Sequence, residues 1–337
     1  MAFDTLTLLS HPKSNYIGTT LFLAYIAFAL YFTTSIALSL YRQKKAVTDN
    51  ASRDAHQTRS LVILALFSFI TLSYHMSSFL LQSFLRWNLH QDFFYSNGSA
   101  NASFGTKVWK WMLESTLFED FAKELVRDGP STIWTQISLS ATWFWNLVLA
   151  REARTHGLSA GTMAPYIVLS QILPVSFTAT LVLLHLQLLP PKGDSKGLKK
   201  VDSKTKGYSK SPKKDESKLK RPIKKDDPGA MSAMIPTVLF STVLLVLPSF
   251  KQSGYFMPIV LFTRLLLLIP HRYRMGKSTD DLISSGMLAA GFAVANVGLL
   301  KKGYTVGQLS RGLRTGGESV KALSWDAIIG LVVAALA

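Results

Sequence analysis

Apolar residues are gathered along this chain in blocks, and the blocks approach the ~20 residues that a helix needs to cross a bilayer. Four of them, 16–41, 60–85, 131–150 and 162–189, contain no Lys, Arg, Asp or Glu. Three more follow at 235–250, 254–270 and 282–300, with a terminal apolar segment at 325–337. The block at 235–250 is short and bracketed by Pro236 and Pro248. The terminal segment has only about a dozen apolar residues, too few for a full span. The pattern therefore predicts an all-α, polytopic transmembrane helical bundle of about seven spans, within limits of six and eight. It divides into a membrane region at 1–189 with four spans and an amphipathic acidic helix near 108–128, a disordered Lys-rich linker at 190–230, and a membrane region at 231–337 with three or four spans. No repeat of 20–50 residues marks a solenoid or an array.

Composition agrees with the blocks. Apolar residues make up 48% of the chain and charged residues 17%, against about 25% charged in soluble domains. Residues 1–15 carry a single Lys and no adequate apolar core, so no cleavable signal peptide is expected and the first span directs insertion. With no cysteine, disulfides, thiol catalysis and thiolate metal sites are excluded.

The net charge of +17 suggests nucleic acid until its distribution is considered. Residues 190–229 hold 14 Lys and Arg with six Asp and Glu and almost no apolar anchor. Such a composition is that of a solvated linker, with attraction to anionic lipid headgroups as an addition. Its one aromatic, Tyr208, supplies no stacking platform, so no nucleic-acid partner is expected. With alternating spans, one face collects 23 basic residues and the other 13, which places the linker and the amino terminus in the cytosol. Without the linker the tally becomes 9 against 13. The glycosylation sequons at Asn50, Asn97 and Asn101 fall on both sides, so at least one goes unused.

Candidate chemistry begins with WMLESTLFEDFAKEL at 111–125, where Glu114, Glu119, Asp120 and Glu124 concentrate scarce carboxylates beside an apolar run. At about 100° per residue, Trp111, Glu114, Leu117, Phe118, Phe121 and Leu125 share one helical face. Glu119 and Asp120 find Lys123 at helical spacing, and Glu124 finds Arg127, as on a solvated face. Glu114 has two readings. Buried on its apolar stripe it is a proton donor; otherwise it pairs with Lys110 at the membrane surface.

Within the spans, Gln136, Ser140 and Trp143 share one face of the third helix, and Trp134 and Trp145 share another. They serve as helix bridges and packing, or as lining of a substrate site. His75 and His185 each stand alone, with no acid or second His at metal-ligand spacing. Arg264, in VLFTRLLLLIP, is the single full-time charge within these spans. It either snorkels to the interface, about 9 Å away near Pro270, or meets a carboxylate or an anionic substrate group. No Asp-Asp-x-x-Asp motif occurs, no clustered His boxes occur, and MGKS at 275–278 lacks the earlier Gly of a phosphate loop. No metal ligand set and no cofactor is expected.

The stretch LFEDFAKELVRDGPSTIWTQISLSATWFWN (117–146), with YIVLSQILPVSFTATLVLL (166–184), resembles fungal integral-membrane proteins that include the membrane-bound terpene cyclases of the ascochlorin and ascofuranone pathways. The resemblance covers residues 105–190. It implies an endomembrane protein, expected in the endoplasmic reticulum, that cyclises an epoxidised prenyl chain on an aromatic polyketide. Its partners are then a hydrophobic small-molecule substrate and membrane lipids. An acid protonates the epoxide, an alkene or hydroxyl captures the cation, and a base removes the last proton. Glu114 leads as acid, with Glu119 and Asp120 as alternates. Trp111, Phe118, Gln136, Trp143, Trp145 and Arg264 are the expected substrate-binding residues. The competing expectation is a non-enzymatic transporter or scaffold with a lipid-binding basic loop. A further enzymatic one is acyl transfer centred on His185.

Overall fold

The computed structural model describes residues 15–47, 55–94, 103–189, 232–272, 279–300 and 305–336. The three sequons, the Lys-rich linker and the MGKS stretch lie outside the described residues. About 89% of the structure is helical and no strand is present among the described residues. The helices in chain order are α1 (Tyr16–Val47), α2 (Ala55–Phe94), α3 (Phe104–Glu114), α4 (Leu117–Leu125), α5 (Gly129–Thr155), α6 (Ala160–Ile172) and α7 (Val175–Gln187). Then come α8 (Met234–Val246), which continues as a 3-10 turn at Leu247–Phe250, α9 (Phe256–Leu266), α10 (Ile269–Arg272), α11 (Thr279–Leu300), α12 (Val306–Thr315) and α13 (Glu318–Leu336).

Three helices are long and apolar enough to cross a membrane, over Gly18–Lys45, His56–Gln91 and Glu318–Leu336. Shorter apolar helices occupy Val175–Gln187, Met234–Phe250 and Leu282–Ala295. The carboxy-terminal segment is thus longer than its apolar run at 325–337. Its helix starts at Glu318, and the polar first turns take part in it.

Three helices expected to be continuous are broken. The block 162–189 divides at Leu173–Pro174, because Pro174 has no N–H to donate and its ring pushes Leu173 out of the helical region, to φ −106° and ψ 174°. The amphipathic helix near 108–128 divides at Ser115–Thr116, with Ser115 extended at φ −88° and ψ 149°. Short hydroxyl side chains favour such caps over helix interiors. In consequence the single face joining Trp111 and Glu114 to Phe118 and Phe121 does not exist; those residues lie on α3 and α4 separately. The block 254–270 likewise falls into α9 and α10.

α5 is the central element. Asp128 caps it by accepting the Ser131 N–H at 2.8 Å, with Pro130 in the first turn. Burial pushes the Asp128 carboxyl up, but the Ser131 hydrogen bonds and the Arg127 charge outweigh it and hold it below the usual carboxylate range. The main core gathers Trp145, Leu149 and Ala153 of α5 with Leu61 and Ala65 of α2, Val175 through Leu184 of α7, and Ile329 and Val333 of α13. A second core sets Trp143 and Leu147 of α5 against Phe240 and Leu244 of α8 and Leu266 and Leu267. At the other end, the start of α1 is tied to the end of α3 by Thr19 Oγ1 donating to the Met112 carbonyl at 2.6 Å.

Candidate functional site: a broken helix inside the bundle

The break at Leu173–Pro174 separates α6 from α7. Pro174 offers no side-chain cap, so the first amides of α7 would be orphaned in an apolar interior. Asp326 of α13 supplies the missing acceptors: Oδ2 takes the Val175 N–H at 3.0 Å and Oδ1 takes the Ser176 N–H at 2.9 Å. A carboxylate at a helix N-terminus is also favoured by the aligned peptide dipoles. Ser176 Oγ lies 2.7 Å from Ser68 Oγ of α2. Trp145 of α5 and Ser176 both abut Gly330 of α13, where a Cβ would come within 2.9 Å of the Trp145 Nε1. Glycine permits that approach.

On the other side of the break, the Gln171 carbonyl accepts from the Tyr25 hydroxyl of α1 and from Arg264 Nη1 of α9, the latter at 3.5 Å. Among the described residues no carboxylate stands within ion-pair distance of Arg264. The side chain of Gln171 has neither amide nitrogen nor amide oxygen satisfied by the protein. Tyr25 joins this cluster to α4, its ring edge-on to Phe118 with centroids 5.6 Å apart.

The expected acids are dispersed. Glu114 is largely buried at the end of α3, where Oε2 accepts from Trp87 Nε1 at 2.9 Å and Gln91 Nε2 at 3.0 Å. Lys110 Nζ stands 3.8 Å from its other oxygen. These are the contacts of an accepting carboxylate that ties α3 to α2. Glu119 is paired with Lys123 at 2.6 Å on a half-open face. Asp120 has one hydroxyl donor, Thr116 Oγ1 at 3.1 Å, and is an exposed residue. Desolvation by its neighbours pushes its carboxyl above the usual carboxylate range, with Glu119 adding to the rise and Thr116, Lys123 and Arg86 opposing it.

Glu124 does not pair with Arg127, whose guanidinium faces Asp128 at 3.4 Å. Instead Glu124 accepts from the hydroxyl of Ser319 and from its N–H, the latter at 3.3 Å, and so caps α13. Beside it His75 Nδ1 lies 2.7 Å from Glu318 Oε2, and Lys321 Nζ 2.8 Å from Glu318 Oε1. His75 therefore does not stand alone, although its partner is remote in the chain.

The remaining expected binding residues separate into three places. Trp111 is buried against Phe84, edge-on at 5.6 Å, and donates to Ser83 Oγ at 3.3 Å. Gln136 donates to the Leu244 carbonyl at 3.0 Å, and Trp143 donates to Thr237 Oγ1 at 3.0 Å while stacking on Phe240 at 4.9 Å. Both bind α5 to α8. Trp134, from the other face, donates to the Leu309 carbonyl of α12. Only Phe118, Trp145 and Arg264 come near the break. His185 is buried with its ring edge-on to Tyr166 and its Nδ1 unpartnered.

Sequence reasoning missed Asp326, Tyr25 and Gln171. Two signals pointed to them: Leu-Pro at 173–174 inside an apolar block marks a helix boundary, and Asp326 is an acid set within the terminal apolar run. Near α4 a narrow cleft of only about 10 Å³ lies between Asn15, Thr19 and Phe22 on one side and Met112, Ser115 and Phe118 on the other. Among the described residues no three His, Asp or Glu side chains are grouped as metal ligands. No known protein family, curated protein or solved structure matches this chain.

Proposed function

We propose that the protein is an integral-membrane terpene cyclase that closes rings on an epoxidised prenyl chain borne by an aromatic polyketide, with the polar cluster at the broken helix holding the substrate. The observation that carries this reading is where the two resembling stretches go. Residues 117–146 and 166–184, remote from each other in the chain, supply Phe118, Trp145, Gln171 and the Val175 and Ser176 amides to one cluster. Intramembrane charged groups in such a setting are functional by default.

The reaction needs a proton donor at the epoxide oxygen. Proton transfer breaks the C–O bond, the electron pair goes to oxygen, and the carbon bears the cation. An alkene then forms the new C–C bond, and loss of a proton restores neutrality. Of the four carboxyls on α3 and α4, Asp120 suits the donor role best, Glu124 being engaged by Ser319. Its carboxyl is held above the ordinary range, whereas Glu114 is bound by three donors and Glu119 by a lysine. Phe118 and Tyr25, paired edge-on, offer aromatic faces for the cation elsewhere in the site.

The experiment is turnover of a prenylated-aryl epoxide in microsomes bearing the protein, without added metal or nucleotide. Cyclic product is expected from the wild type, lost in Asp120→Asn and retained in Glu119→Gln. Full activity in Asp120→Asn removes that acid from the mechanism, and absence of product across several such epoxides removes the cyclase reading.

A second reading, transport of a small molecule, draws on one specific observation. A helix interrupted inside an apolar block, with its amides and a charged residue at the break, is an arrangement that transporters use around substrates. Uptake of a labelled amphipathic acid into proteoliposomes, without chemical conversion, would favour it.

A further inference from the structure

We infer that Arg264 and Gln171 form the seat for an oxyanion carried on an apolar ligand, a carboxylate or an acidic phenol on a prenylated body. This rests on the reading of the break as the place where substrate is held, but its test needs no turnover.

Three features of the break lead to it. Arg264 is a guanidinium cation on an otherwise apolar helix, α9, and makes one hydrogen bond among the described residues, at 3.5 Å to a neutral carbonyl. Asp326 accepts from the Val175 and Ser176 amides and makes no ion pair with Arg264, which leaves the guanidinium donors free. Gln171, on the same turn that Arg264 touches, has an amide nitrogen and an amide oxygen shielded from solvent with no protein partner. An unpaired buried amide costs about 1–3 kcal/mol, and an intramembrane cation without an anion costs more. A ligand that presents an oxyanion to Arg264 and to the Gln171 Nε2, with a hydroxyl for the Gln171 Oε1, removes these deficits together. Its apolar body is left to the apolar faces of α1 and α9, on which Ile26 next to Tyr25 and Leu261 one turn before Arg264 are exposed. The same chemistry is found on a phospholipid phosphate. An acid on a substrate is preferred because the cluster also holds the aromatic side chains of Tyr25 and Trp145.

The test compares binding of S-farnesylthiosalicylic acid with that of its methyl ester to the protein purified in neutral detergent, read by quenching of tryptophan fluorescence. The wild type is expected to prefer the acid by about tenfold or more, the weight of one charge-assisted hydrogen bond, and Arg264→Gln to bring the two within about twofold. Arg264→Lys should keep part of the preference. Equal binding of acid and ester by the wild type overturns the seat without recourse to any variant, as does a preference that survives in Arg264→Gln. Dioleoyl phosphatidate supplies the lipid arm: failure to displace the acid supports a substrate seat, and displacement at equal concentration overturns it in favour of a headgroup site. Cyclisation with no acid preference would keep the proposed activity and discard the seat; acid preference with no cyclisation would keep the seat and discard the activity.

Discussion

Asp326 shows how one side chain can govern a bundle. Its two oxygens satisfy the amides that Pro174 leaves uncovered, and no other side chain caps that turn. In Asp326→Ala two buried N–H groups lose their partners, at about 1–3 kcal/mol each. Thermal unfolding of the detergent-solubilised protein should show a large loss for Asp326→Ala and a smaller one for Asp326→Asn, which keeps one acceptor. A similar joint closes α4 on α13. A Cβ on Gly317 would come within 1.8 Å of Glu124 Oε1, so the carboxylate must leave its place on Ser319. Gly317→Ala is therefore expected to cost about 1 kcal/mol, the loss of a helix cap, and the same unfolding measurement reads it. Asp120 gives a pH signature. Its folded value is raised, so it stays protonated to a higher pH than an ordinary carboxyl and its charged form opposes folding. Cyclisation that depends on it should be full below that raised value and fall as pH rises through it. Asp120→Asn should remove activity without lowering stability, which a merely structural residue would not do.

At the scale of elements, the apolar blocks were readable as helices, and among the described residues three of those helices are long and apolar enough to cross a membrane, against about seven spans expected. The breaks were less readable. Pro174 announced one, yet hydropathy averages over a single proline, and nothing local reveals that the freed amides find Asp326 some 151 residues away. Serine and threonine at 115–116 divided the acidic helix, which dissolved the face on which Glu114 had stood out. Glu114 is legible as a partly buried acid, and Lys110 as its partner, but Trp87 and Gln91 come from another helix. The partners of Glu124 and His75 were hidden for the same reason: Ser319 and Glu318 are distant in sequence and adjacent only after packing. Glu114→Gln keeps the shape of the α2–α3 joint but weakens two accepted hydrogen bonds and the attraction of Lys110. We expect it to lower the unfolding temperature and to leave the acid step intact, with product formed per folded molecule as the measurement.

For the whole molecule, the arrangement that matters is convergence: α1, α2, α5, α6–α7, α9 and α13 each bring a polar group to the interior around one helix break. Arg264, taken from the sequence as an intramembrane charge in need of a partner, reaches the Gln171 carbonyl at the break, and Asp326 caps α7 there without an ion pair to it. The chain has no cysteine, which makes this geometry directly accessible to measurement. Ser68 and Ser176, on α2 and α7, have their hydroxyl oxygens 2.7 Å apart inside the bundle. In the Ser68→Cys/Ser176→Cys double variant, mild oxidation in native membranes should produce an intramolecular disulfide, detected as a reversible shift on a non-reducing gel and absent from either single variant. Free thiols that stay unlinked in correctly inserted protein would contradict the packing of the broken helix against α2, and with it the site built there.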